Sequence, residues 1–268
     1  MRDDVRRAYY LDFVDRSFRD SADGDYLGAR VLHRHRLFAQ FLWAAHQAVE
    51  KYLKAILLYH LSSARHLGHD LNAAFKRVCS IPDLPVAVPK DVPEFIGYLN
   101  QQGPNRYFEW GSYTLGHELL QLDRTVWHLR RYCRWMRDSG GHDAGRLQRE
   151  VAAIETFPIT QASRFRIEGG YLEKVLAEPR TALYRQLVWK NLWFGRRVRL
   201  KIKYRPTGFR AANPTHIVRP DVYSDLAKVV DFSKAIKDLF KARGVVSDGA
   251  VEQADAADEA QGGTRTAS

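Results

Sequence analysis

A chain of 268 residues allows one large domain or two small ones, and its 45% apolar and 12% aromatic content excludes wholesale disorder. The formal charge of +11 is uneven: the last 25 residues, from Gly244, carry five acids and one base, which leaves about +15 on the rest. Such a body favours polyanionic partners, and no apolar run approaches the ~18 residues that a membrane span needs.

Two cysteines, Cys79 and Cys133, stand in apolar surroundings without metal-type spacing, so both are expected to be buried free thiols in a reducing compartment. The opening MRDDVRRAYYLDF has no apolar h-region and does not read as a signal peptide. A cytoplasmic protein with no membrane association is the expectation.

Residues 5–20 carry Val5, Ala8, Tyr9, Leu11, Phe13, Val14 and Phe18 at helical spacing, and SADGD (21–25) is expected to interrupt or bend the helix. A second periodic stretch runs from about Tyr26 to His60. Within it Phe41, Ala45, Ala48, Tyr52, Ala55 and Tyr59 form one face, widened by Leu42, Val49, Leu53 and Leu57. Only His46, Gln47, Glu50, Lys51 and Lys54 stay polar, as in a central helix contacted from several sides. Asp70 is placed to cap a short helix over 68–78, prolines 82, 85, 89 and 93 mark a loop, and a helix near 92–101 ends at Gly103 and Pro104. Residues 113–137 predict a further amphipathic helix, with Leu115, Leu119, Leu122, Val126, Leu129 and Cys133 in phase. DSGGHDAG (138–145) reads as a linker, and helices are expected over Glu168–Ala177, Thr181–Trp193 and Asp221–Ala242.

The segment QAVEKYLKAILL (47–58), with GHDL (68–71) and YLNQQGPNRYF (98–108) following in order, resembles the HEPN domain family over about residues 1–140. The resemblance implies a small helical bundle that often dimerises. Many members are metal-independent ribonucleases of toxin–antitoxin or defence systems; others bind RNA or nucleotides or act as adaptors. Nucleolytic members carry an Arg and a His with four to six residues between them near the start of the last helix. Here Arg106 and His117 have ten residues between them, Arg124 and His128 have three, and Arg30 and His35, with four, precede the central helix.

The candidate catalytic residues are therefore Arg106 with His117, and Arg124 with His128. A histidine can move a 2′-hydroxyl proton near neutral pH, and an arginine can stabilise the charge of a phosphorane. Against this, Arg124 and His128 sit on a helix face already rich in arginine. Glu50 and Lys54 read first as an i,i+4 ion pair. His33, His35 and His46 lack a carboxylate or cysteine at ligand spacing, so no metal and no cofactor is expected.

The most pointed signal is RRVRLKIKYRP (196–206). With a strand's period of two, Val198, Leu200, Ile202 and Tyr204 face a core while Arg197, Arg199, Lys201, Lys203 and Arg205 face out, about 7 Å apart. That repeat is close to the spacing of phosphates along a nucleic-acid strand. Edge strands use lysine against aggregation, but five cations without one acid exceed that need. With Arg196 they form a candidate nucleic-acid-binding row. Trp189 and Trp193, upstream, are expected to be core.

The expected architecture is mainly α: a HEPN-like bundle over 1–138, a linker over 139–150, a smaller basic mixed α/β domain over 151–243 and an acidic disordered tail over 244–268. The expected activity is binding of nucleic acid, RNA in preference to DNA, with a homodimer as an accompanying expectation. The alternatives are a metal-independent endoribonuclease and a dimeric interaction adaptor whose acidic tail competes for its own cationic row.

Overall fold

The computed structural model describes residues 3–82, 84, 86–103, 105, 109–135, 167, 169–195 and 208–245. The linker at 139–150, the row at 196–205 and Arg106 lie outside the described residues, as does nearly all of the acidic tail. The described chain is mostly helical.

Helix α1 (Asp3–Val14) continues through a π-helical turn (Asp15–Arg19) into α2 (Asp20–Arg34). The expected break at SADGD is absent. An aspartate disfavours a helix interior because its carboxylate competes locally for backbone N–H groups. Asp23 is instead used by distant partners: its carboxylate accepts from Tyr52 Oη at 2.6 Å, Arg130 Nε at 2.7 Å and the Leu172 amide at 3.1 Å. The chain turns at Arg36, in the left-handed region with φ 62°, where glycine is the usual residue.

Helix α3 (Phe38–Tyr59) is the central element. Phe41, Ala45, Ala48, Tyr52, Ala55 and Tyr59 are buried, as are Leu42, Val49, Leu53 and Leu57. Its alanines, with Ala22 and Ala29 of α2, allow close helix approach. Helix α4 (Leu71–Cys79) begins where Asp70 accepts from the Ala73 amide at 3.0 Å, the cap expected from sequence. Cys133 is buried, but Cys79 is exposed, contrary to expectation, because it lies on the outer side at the end of α4. Helix α5 (Asp91–Gln102) follows the proline loop.

The helix expected over 113–137 is shorter. Residues Ser112–Thr114 form strand β1, and α6 spans Glu118–Arg130. Gly116, at φ 90°, turns the chain, and the Glu118 carboxylate accepts from the Leu115 and Gly116 amides. A side chain thus takes the donors that a longer helix would have used internally. Helices α7 (Tyr171–Ala177) and α8 (Ala182–Val188) follow, then strand β2 (Arg210–Ala212), which pairs with β1. The expected closing helix is broken into α9 (Thr215–Val218), a 3-10 turn (Pro220–Val222), α10 (Tyr223–Leu226) and α11 (Lys234–Ala242). Val229 is 80% exposed, so apolar identity alone misplaced it in a core face.

Two compact units result: Met1–Arg106 with Thr114–Arg210, and Tyr107–Tyr113 with Ala211–Ser268. The first is built on α3. Leu172, Val175, Leu187, Trp193 and Phe194 lie in its core. The second packs Tyr223, Phe232, Ile236 and Phe240, with the Tyr223 and Phe240 rings stacked at 3.9 Å between centroids.

Buried charge ties the first unit together. Arg30 and Asp123 are fully buried and paired. Arg30 also donates to the carbonyls of Gln186, at 3.1 Å, and Trp189. Arg130 bridges Asp23, at 2.7 Å, and Glu173, at 2.6 Å. Replacing Arg30 by Met strands the Asp123 carboxylate and is expected to cost about 3–5 kcal/mol in urea unfolding. Combining it with Asp123→Leu should cost less than the two single losses together; additive losses would show that the pair is not coupled.

Candidate functional site

Three groups of side chains carry chemistry. The first is the arginine and histidine set of α6. His117 is half-buried at the residue before the helix. Arg124 pairs with Asp91 at 2.8 Å. One turn on, His128 is only 7% exposed, and its Nδ1 accepts from Arg131 Nη2 at 2.7 Å. The accepting Nδ1 puts the imidazole proton on Nε2. Burial first, then the Arg131 and Arg124 charges, lower the His128 pKa to about 3. The structure therefore brings Arg124 and His128 onto one helix but encloses the imidazole and keeps it neutral. Sequence spacing had no means of separating this from a solvent-facing pair.

The second group is the polar stripe of α3. Glu50 accepts from Lys54 at 2.6 Å and from His69 Nδ1 at 2.9 Å, and Lys54 also donates to the Gly68 carbonyl at 2.9 Å. His46 Nε2 donates to the His69 carbonyl at 3.1 Å. Burial pushes the Glu50 carboxyl up, but the hydrogen bonds and charges of Lys54 and His69 outweigh it and hold the group below its ordinary value. This stripe fastens the GHDL turn to the central helix. Gly103 packs on the His46 side chain so closely that an added Cβ would lie 2.3 Å from His46 Cβ. Among the described residues, no group of three or more His, Cys, Asp or Glu side chains is arranged to hold a metal ion.

The third group, at the α2–α3 corner, was not legible as a group. Arg34 lies over the Trp189 ring at 5.2 Å, Lys190 over the same ring at 5.1 Å, and Arg210 over Phe38 at 5.3 Å. All three cations are exposed, and His35 and Arg36 are exposed beside them. Trp189 is half-buried, whereas Trp193 is core as expected. Asn191 shapes the turn that follows: its Oδ1 accepts from the Trp193 amide at 2.9 Å and the Phe194 amide at 3.0 Å, and its Nδ2 donates to Tyr26 Oη at 2.9 Å. Phe194 is buried against Tyr26 and Trp127, and Arg210 stacks on Phe38. The meeting of Arg34 and Lys190 on Trp189, and of Arg210 on Phe38, leaves no periodic trace in the sequence.

Against known proteins, residues 16–108 match the family model of the HEPN domain. No curated protein and no solved structure matches the chain.

The enclosed imidazoles set an acid limit. His33 is lowered to about 4 by burial, Arg30 and Lys190, as His128 is to about 3. Below the ordinary value near 6.5 the unfolded chain binds protons that the folded chain refuses. Stability therefore falls as pH drops from there toward the lowered values, by up to about 1.4 kcal/mol per pH unit for each ring. His128→Gln should make this acid slope shallower in thermal unfolding between about pH 7 and about pH 5. An NMR titration of His128 centred near its ordinary value would contradict the enclosed, neutral ring.

Proposed function

With residues 16–108 a HEPN domain, a family linked to RNA-binding, nuclease and toxin–antitoxin roles, we propose that this chain binds RNA through its backbone phosphates. The row Arg196, Arg197, Arg199, Lys201, Lys203 and Arg205 supplies the main contacts. The observation that carries this reading is the strict alternation of five cations with four apolar residues over 197–205, without one acid. The described residues on either side are placed by packing: Phe194 is embedded in the core, and Arg210 stacks on Phe38. DNA would offer the same phosphates; RNA is favoured through the HEPN domain.

The state of His128 supports binding over cleavage, since a buried neutral imidazole is poorly placed to exchange protons with a ribose. A nucleolytic reading rests on Arg106 and His117, and the adaptor reading on the same cations facing an acidic protein.

Lys201→Glu with Lys203→Glu is expected to abolish RNA binding while the helical circular dichroism is kept. Removing one phosphate contact, as in Lys201→Ala, should reduce the log–log salt slope by about 0.7–0.9. Undiminished affinity in the double variant would end this reading. Cleavage of RNA in EDTA that is lost in His117→Ala would replace it with the ribonuclease.

A further inference from the structure

Outside the cationic row, the structure gathers an aromatic and cationic surface that phosphate contact alone does not use. Arg34 and Lys190 both lie over Trp189, and Arg210 over Phe38. Among the described residues no carboxylate pairs with Arg34, Lys190 or Arg210, although Asp123 pairs with Arg30 one turn before Arg34. Beneath this surface His33 sits edge-on to Phe38, at 5.6 Å, and to Phe41, at 4.9 Å. It is only 8% exposed, and among the described residues neither ring nitrogen has a partner. A buried imidazole normally finds a partner, because leaving its N–H and lone pair unmet is costly. Lys190 and Arg30 are near enough to depress its charge, which places His33 beside the cations rather than remote from them.

The presentation of this surface is rigid. The Trp189 amide donates to Arg185 O at 3.2 Å, and its carbonyl accepts from the buried Arg30. Arg34 is steadied by Gln186 Oε1 at 3.2 Å. Lys190 occupies the left-handed region at φ 52°, a conformation that favours glycine, yet it carries a charged side chain over the indole.

We propose that the α2–α3 corner is a subsite for one unpaired nucleotide. The base stacks on the layer formed by Trp189 and Arg34. The adjoining phosphate is held by Lys190 and Arg210, with the His33 ring packed beneath them against Phe38. The proposal rests on the nucleic-acid reading above and narrows it to single strands. Every base has a π-face that an indole or a guanidinium plane accepts, but in a duplex those faces are already stacked within the helix. A duplex would offer this corner its phosphates and nothing for Trp189.

The test uses the full-length protein, a short fluorescent single-stranded oligoribonucleotide and the blunt duplex of the same sequence, read by anisotropy. The single strand is expected to bind about tenfold more tightly than the duplex. Trp189→Leu and Arg34→Ala should each weaken the single strand by about tenfold and leave the duplex nearly unchanged, while Trp189→Phe retains most of the preference. Lys190→Gly should weaken binding with a thermal midpoint unchanged or raised, an outcome that loss of folding would not give. The His33 side-chain nitrogen resonances should shift on adding the oligonucleotide. Equal binding of strand and duplex, or unchanged affinity in both Trp189→Leu and Lys190→Gly, overturns the subsite. If Lys201→Glu with Lys203→Glu abolishes binding in that case, phosphate binding stands without it. If neither nucleic acid binds the unaltered protein, both readings fall.

Discussion

The ion pair between Arg30 and Asp123 organises the first unit. Both side chains are removed from water, which would be prohibitive for either alone. What makes it tolerable is the number of partners. Asp123 accepts from Arg30 and from Tyr26 Oη at 2.7 Å, and Arg30 donates besides to two backbone carbonyls at the end of α8. Burial pushes the Asp123 carboxyl upward and the Arg30 charge pulls against that shift. Three elements distant in sequence are joined at one point: α2 through Arg30, α6 through Asp123, and α8 through the carbonyls of Gln186 and Trp189.

A second pair repeats the arrangement two turns earlier on α2. Asp23 receives Arg130 and Tyr52, while Arg130 also holds Glu173. Helices faced with alanine and leucine can slide against one another at small cost, since one apolar contact replaces another. Buried charges cannot, because a shift of one turn leaves each of them unpaired. The two networks therefore set the register of α2 against α6 and recruit α7 and α8 to the same body. They also reach the surface. The carbonyl that Arg30 holds belongs to Trp189, so the indole and the lysine after it are positioned from inside the core.

The legible parts of the sequence were those with a local cause. The apolar face of α3 follows from residue spacing alone, the Asp70 cap from one side chain and the next turn's amides, and Glu50–Lys54 from an i,i+4 step. The HEPN motifs were legible for the same reason and are matched over residues 16–108. What misled was governed by distant partners. SADGD reads as a break because aspartate and glycine are poor helix formers, yet Asp23 is neutralised by Arg130 from more than a hundred residues away. The helix predicted from 113 starts at 118 because Glu118 folds back on two amides. Arg124 and His128 have the spacing of a surface pair, and only tertiary packing reveals that the imidazole is covered. The packing of the later segments was not legible for the same reason: Leu172, Leu187 and Trp193 say apolar, and nothing in them says against which helix.

This division of labour bears on how charge is used. Several acids of the first unit are spent internally: Asp23 and Asp123 are buried against arginines, Glu118 against amides, and Glu50 against Lys54 and His69. Each buried pair cancels, so it adds little to the field outside. The positive excess consequently lies on side chains such as Arg34, Arg36, Lys190 and Arg210, which face solvent. Internal ion pairs determine the fold and are nearly insensitive to salt, being shielded from counterions. Exposed cations are worth little to the fold and respond strongly to salt and polyanions. The two sets can therefore be altered separately. The exposed cations can be removed one at a time while the helices remain in register, because the charges that hold the fold are the buried ones.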